Sequence, residues 1–530
     1  MGVGTILALA GIAPVVEGPP PAMLSIRAAD LEAHVRFLAS DELQGRALGH
    51  PGNDVAALYL ASVLERLGLE TEDGYFQWFE VSTSSLGKAS SLTQGTSVRY
   101  PVGEDFYPLH TSASATVTAG LVFAGYGITA PELSYDDYAG LDVRGEIVVA
   151  FQHEAQEYDD RSRFAGRAET VHARVEAKID AARARGALGL ILLPDSLSHP
   201  DEPPALDWAS YWPEQPSALE ERYFSTAGLD PGFVSAAVSG ALAEKLLQEP
   251  LEPKQVAIQK ALGDASEGEP VSRPASFAVD GPPITLAVDL SRVTLRARNV
   301  VGYLKGSHRA EEIVVLGAHF DHEGIDADGR VYNGADDNAS GTAGVLEVAE
   351  AFTQLAAGGR RPRRTVVFAL WNGEERGLLG SRRYAKTPLP KEARLVANLN
   401  LDMIGRNEDV SDPSSSGFHG LERTTAAENA NVIHMIGYSF SPHLAARVDD
   451  ENRRIGLTIK KERDRPELGF LRTSDHCPFL EREVPAIFLY TGEHPDVHTP
   501  SDDVERIDFA KMERVARLAF LAVWSLANEP

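Results

Sequence analysis

Beyond about residue 283 the chain alternates short apolar runs with amphipathic stretches, and this alternation limits the folds open to it. Residues 312–318, 365–371, 395–401 and 486–490 are mainly apolar runs of strand length. Residues 344–355 and 509–527 carry apolar positions at helical spacing. Strands apolar on both faces and separated by helices predict an α/β domain with a largely parallel sheet. Ligands of such sheets bind beyond the carboxyl ends of the strands, so those ends are the place to look for chemistry.

The strand ends are where this chain concentrates acids and imidazoles. The first run leads into AHFDH, 318–322, and the loop after it reads NGADDNASG, 333–341. The next ends at the adjacent pair Glu374 and Glu375, the next at Asp402, and the last leads to His494 and His498. One such residue is an ordinary polar cap, but a whole series is not. Two neighbouring carboxylates near a core repel each other at a cost, unless a cation offsets it. A His/Asp/Glu set without thiolates suits Zn2+ or Mn2+, with Co2+ as a substitute. More carboxylates than histidines suits two ions that share a bridging carboxylate, a clamp used in hydrolysis. Spacing leaves open which glutamate binds metal and which moves a proton.

Composition removes several other classes. Lys and Arg total 50 against 77 Asp and Glu, a net charge of −27 over 530 residues. The basic footprint needed for nucleic acid or an anionic membrane is missing. The single cysteine, Cys477, excludes an intrachain disulfide and the Cys-rich zinc modules, and is expected to be packing. An apolar run at 3–16 suggests a leader over 1–22 and an exported protein. It is too short for a membrane span and no other stretch supplies one, so no stable membrane insertion is expected. In the first half, 26–38, 54–67 and 175–185 read as helices, and 121–127, 146–150 and 189–193 as strands. Residues 195–222 read as an exposed excursion, and 248–274 as polar with Pro and Gly.

The motifs GAHFDHEG, NGADDNASG, WNGEERGLLGS, NLNLDMIG, TSDHCPF and VHTPSDD, in that order, resemble the bacterial di-zinc aminopeptidases of the leucyl aminopeptidase type. Glutamate carboxypeptidase, glutaminyl cyclase and the transferrin receptor share that superfamily. The segment SDELQGR at 40–46 is also similar, and VFAGYGITAPELSYDDYAGLDVRGEIVV resembles the protease-associated insert of many members. The resemblance implies a mixed, mainly parallel sheet sandwiched by helices, with an inserted β-rich α/β protease-associated domain. The implied division is 23–111 and 281–530 for the peptidase domain and 112–280 for the insert. Two zinc ions per chain are implied, with His319 and Asp402 on one, Glu375 and His498 on the other, and Asp336 bridging. Glu374 matches the general base, and Asp321 the acid that orients His319. The family's cis peptide after the bridging aspartate would fall at Asp336–Asp337.

The implied reaction is removal of N-terminal residues from a peptide substrate by a metal-bridging water, with Glu374 carrying the proton. His322 and His494 match no ligand position and are expected to be structural. Asp475 and His476 match a motif that lines the pocket. Val497 stands where many members have tyrosine, and Phe470 and Leu471 occupy the stretch where others carry a pocket tyrosine. The oxyanion donor is thus open between a zinc ion and His476. A carboxypeptidase or dipeptidase on this scaffold would need a cationic pocket, for which Arg382, Arg383 and Arg406 are the candidates. A non-catalytic binding protein would lack ligands or base, and none is lacking here.

Overall fold

The computed structural model describes residues 20–529 apart from 158, 160–161, 165–169, 196, 198–210, 213–216, 227–229, 231, 265–275, 412–420 and 466–468. Most of the expected leader, 1–22, therefore lies outside the described residues. Four parallel strands form the centre of a nine-stranded sheet: Arg364–Trp371, Arg309–His319, Arg394–Leu401 and Ala486–Tyr490, side by side in that order. These are the four apolar runs expected from sequence. Antiparallel strands flank them, Leu290–Leu304 on one side and Val432–Ile436 on the other, so the sheet is mixed.

Burial on both faces explains why the central strands are mainly apolar, with Asn398 and Asn400 as buried exceptions in Arg394–Leu401. Val314, Leu316 and Ala318 join one core, into which helices Ala28–Leu38, Gly341–Ala357 and Phe509–Asn528 insert. The alternate residues Ile313 and Val315 join Trp371, Tyr384 and Phe479 on the opposite face. Side chains two apart share a face, so a single strand feeds both layers. Helix Phe509–Asn528 starts with Asp508, whose side chain accepts from the Lys511 N–H.

A second sheet of eight strands has its own core of residues such as Phe123, Val149, Ile191 and Val238. Its strands begin at Ser91–Gln94 and end with Phe277–Ala287, so this sheet extends beyond the expected 112–280 at both ends. Two long strands join it to the main sheet. Phe76–Leu86 runs out, Leu290–Leu304 returns, and they pair in register from Phe76 opposite Val300 to Leu86 opposite Leu290. Both were missed in the sequence because each carries many polar residues, in FQWFEVSTSSL and LSRVTLRARNVVGYL.

Two expectations for this unit change. Within 248–274, Leu251–Asp264 is a helix; Leu251, Ile258 and Leu262 form its buried stripe, and Pro253 lies in its first turn, where a missing N–H costs little. The described part of 195–222 is not an exposed excursion. Trp212 is 7% exposed and donates from Nε1 to the Pro108 carbonyl (3.0 Å). Strand Tyr223–Ser225 pairs with Phe76–Leu86 at the edge of the main sheet. Aromatic burial outweighs the Pro- and acid-rich composition there. No helix among the described residues is long and apolar enough to cross a membrane.

Candidate metal centre

The centre is assembled at the carboxyl ends of the four parallel strands. His319 closes its strand with a fully buried ring, and its Nε2 lies 3.2 Å from Asp402 Oδ1 and 3.3 Å from Asp337 Oδ1. Asp402 follows the neighbouring strand, and its second oxygen accepts from the Ser474 hydroxyl at 2.6 Å. On the far side, His498 Nε2 lies 2.9 Å from Asp337 Oδ2 and 3.2 Å from Glu375 Oε2. The two oxygens of the Asp337 carboxylate thus face one imidazole each. His322 joins the second group, with Nδ1 2.8 Å from Glu375 Oε1 and its Nε2 buried without a partner.

Asp337, not Asp336, therefore occupies the position between the two imidazoles. The Asp336 carboxylate is fully buried on the other side of the loop, where it accepts from the Gly405 N–H (2.6 Å) and lies 3.3 Å from His494 Nε2. The cis peptide is correspondingly Asp337–Asn338 rather than Asp336–Asp337. Adjacent aspartates point to opposite sides of the backbone, and no spacing argument separates them. Asp502 fixes the choice by accepting the N–H of both residues, at 3.0 Å for Asp337. Asn338 then spans to the next strand, donating to Leu401 O (2.9 Å) and accepting from Gly341 N.

Arg46 holds the loops behind the centre together. Its buried guanidinium donates to the main-chain carbonyls of Phe320 (2.8 Å), Asn333 (2.7 Å), Gly334 (3.0 Å) and Leu38. Burial lowers its pKa to about 10, although Asp337 and Asp321 pull the other way. The preceding Gly45 has φ +66°, and a Cβ there would lie 2.4 Å from the Gly324 carbonyl, so only glycine fits.

Glu374 is buried beside these groups, and its N–H donates to Asp321 Oδ1 at 3.2 Å. The His319 Nδ1 lies 3.2 Å from the Asp321 main-chain carbonyl and 3.8 Å from its carboxylate. Asp321 was expected to orient His319 through its side chain; instead its carbonyl takes the ring and its carboxylate takes the backbone of Glu374. Burial, with the charges of Glu375, Asp475 and Asp402 behind it, pushes the Glu374 carboxyl well above the usual range. Burial raises Glu375 as well, but the imidazoles of His498 and His322 outweigh it and hold that carboxyl low. The carboxylates of Glu375 and then Asp337 raise His498. So the two adjacent glutamates are driven apart electrostatically, one towards holding a proton and one towards staying ionised.

The donor set fits divalent cations. Imidazole nitrogens and carboxylate oxygens fall in four overlapping groups, His319 with Glu374 and Glu375, His319 with Asp337 and Asp402, His322 with Asp337 and Glu375, and Glu323 with Glu375 and His498, and within each group the atoms lie within 4.8 Å of one another. No thiolate takes part: Cys477 is buried and its Sγ lies 3.4 Å from Glu481. Such a nitrogen and oxygen set suits zinc. His476 is fully buried, stacks on Phe488 with ring centroids 5.1 Å apart, and is held near pKa 3 by burial; it does not reach the cavity beside the centre. That cavity, about 170 Å³, is lined by the centre's acids together with Met403, Phe470, Phe488, Tyr490, Glu493 and Val497. Tyr490 and Glu493 escaped the sequence reading; their signal was position, at and just beyond the end of the last central strand.

Residues 299–523 match Peptidase family M28. A probable zinc metalloprotease of Leptosphaeria maculans is 30% identical over 263 residues, which cover 44% of this chain and 58% of that protein. One of Pyrenophora tritici-repentis is 30% identical over 261 residues, covering 44% and 57%. The chain thus spans a little over half the length of these relatives. An aminopeptidase from Aneurinibacillus sp. strain AM-1 is similar in structure over 96% of each chain, with a TM-score of 0.51 and 20% identity, and the two share a fold.

Proposed function

We propose, taking residues 299–523 as a segment of Peptidase family M28, that this chain is a zinc-dependent aminopeptidase with two ions at the centre. His319 and Asp402 would hold one ion, Glu375 and His498 the other, with Asp337 bridging in place of Asp336. His322 lies close enough to Glu375 to fix its second oxygen. Bound zinc supplies Lewis acidity towards a water and the scissile carbonyl. The chain's own part is proton transfer. Glu374 takes a proton from the attacking water and delivers it to the leaving amine nitrogen, from a buried position beside the proposed ligands. Asp321 ties the backbone of Glu374 to the loop that carries His319, so base and ligand move as one body.

The observation that carries the reading is the Asp337 carboxylate set between two imidazoles, with Glu374 alongside. The choice of an aminopeptidase rests on charge. Among the described residues that line the cavity, Glu493 is an acid outside the proposed ligands and base and no lysine or arginine is present, so a substrate amine is favoured there over a carboxylate. The arginines that a carboxypeptidase would need are engaged elsewhere or exposed: Arg382 pairs with Glu481 (2.6 Å), Arg406 with Asp496 (2.8 Å), and Arg383 is exposed. The unit expected to be a protease-associated insert reaches Arg376 through the segment just before strand Tyr223–Ser225. There the Ala218 carbonyl accepts from Arg376, which also pairs with Glu323 (2.9 Å).

The test compares a peptide with a free N-terminus and its N-acetylated form, with zinc removed and restored. Hydrolysis of the free peptide alone, dependent on about two zinc per chain, is the expected result. Equal cleavage of the acetylated peptide would sink the aminopeptidase assignment, and activity that survives zinc removal would sink the metal assignment.

A further inference from the structure

The cavity beside the centre is not uniformly apolar. Phe470, Phe488 and Tyr490 form its aromatic wall, with ring centroids 5.9 Å apart between Phe470 and Tyr490 and 5.2 Å between Phe488 and Tyr490. Met403 and Val497 complete the greasy lining and belong to the same hydrophobic cluster. Into this wall the chain places an acid, Glu493, three residues beyond the end of strand Ala486–Tyr490. Among the described residues no lysine, arginine or histidine pairs with its carboxylate within 4.0 Å. Arg463 is bound to the buried Glu408, and it lies against the aromatic rings, 4.8 Å from Phe470 and 5.8 Å from Tyr490.

An acid in that position is costly unless something neutralises it. Burial lifts the Glu493 carboxyl above its ordinary range, with the Tyr490 hydroxyl and the charge of Arg463 opposing. The backbone of the residue is fixed, because its carbonyl accepts from the Asp409 N–H at 2.8 Å. The side chain lines the cavity wall and is only partly exposed. A purely apolar guest would leave this carboxylate without a cation. A long aliphatic chain ending in a cation would place its stem against the rings and its charge on the acid.

We propose that this cavity receives a lysine or arginine side chain from the N-terminal residue of the substrate, and that Glu493 is the residue that selects it. The proposal rests on the aminopeptidase reading above, because it assumes that the substrate's α-amino end lies at the metal centre. A site that bonds a charged group discriminates more sharply against guests that lack the group than an apolar pocket does between sizes.

The experiment measures kcat/KM of the zinc-loaded enzyme on lysyl, arginyl, leucyl and phenylalanyl amide substrates that share one leaving group. In parallel, lysinamide and leucinamide binding is followed by calorimetry. The wild type is expected to prefer lysyl and arginyl over leucyl substrates by at least tenfold. The Lys-to-Leu ratio should fall at least tenfold in Glu493→Gln and be partly recovered in Glu493→Asp. A wild-type preference for leucyl or phenylalanyl substrates overturns the proposal without any variant, and so does a ratio unchanged in Glu493→Gln. If no amide is cleaved, the peptidase reading fails separately. Calorimetry then decides the cavity assignment: tighter lysinamide binding that weakens in Glu493→Gln upholds it, and equal or weaker lysinamide binding rejects it.

Discussion

At the scale of single residues, the centre turns on which of two neighbouring aspartates faces the imidazoles. Asp337 presents one oxygen to His319 and the other to His498, whereas Asp336 accepts from Gly405 and faces His494. Asp337→Asn should therefore abolish stoichiometric zinc binding, measured by metal analysis after dialysis. Asp336→Asn should keep two zinc per chain and lower stability by about 1–3 kcal/mol in urea unfolding, the usual cost of weakening a buried hydrogen bond. Loss of metal in the second variant and its retention in the first would reverse the assignment. This is also where sequence reading stops. His319, Glu374, Glu375, Asp402 and His498 stand out as acids and imidazoles at strand ends. Asp336 and Asp337 are the same residue type one position apart, and only the folded loop, gripped by Asp502, separates them. His322 was equally hidden, because its proximity to Glu375 is a contact between two loops.

At the scale of elements, the four central strands were legible because burial on both faces favours a mainly apolar run. The expected 486–490 coincides with Ala486–Tyr490, and 365–371 differs from Arg364–Trp371 by one residue. The connecting strands were not legible, since Leu290–Leu304 keeps Arg292, Arg296 and Arg298 among its apolar positions. One contact between these elements carries a pH signature. His110, next to strand Phe106–Pro108 of the second sheet, lies 3.0 Å from the hydroxyl of Ser84 in strand Phe76–Leu86, and its Nε2 donates to Tyr211 O at 3.0 Å. Burial lowers its pKa to about 4, with Tyr211 opposing and Arg222 adding to the effect. Against an unfolded value near 6.5, the unfolded chain binds the extra proton first as pH falls. This group's contribution is complete above about pH 6.5 and is lost progressively down to about pH 4. The urea midpoint should fall less steeply across that window in His110→Gln than in the wild type; identical slopes would remove His110 as a cause.

At the scale of the whole molecule, the central sheet converges its carboxylates on one point, and the fold alone does not neutralise them. Removal of zinc should therefore lower the melting temperature as well as stop turnover. Saturation at a hundred times Kd adds about 2.7 kcal/mol of stability. Scanning calorimetry of the chelated and reconstituted protein should show a clear upward shift on reconstitution, and an unchanged melting temperature would mean that these acids are not holding metal. The second sheet, by contrast, owes nothing to the centre for its core. It leaves and rejoins the main sheet where Leu86 and Leu290 stand opposite each other. A unit whose entry and exit meet at one spot is a cassette: gene duplication, exchange or loss can move it between scaffolds in one event without redrawing the parent sheet.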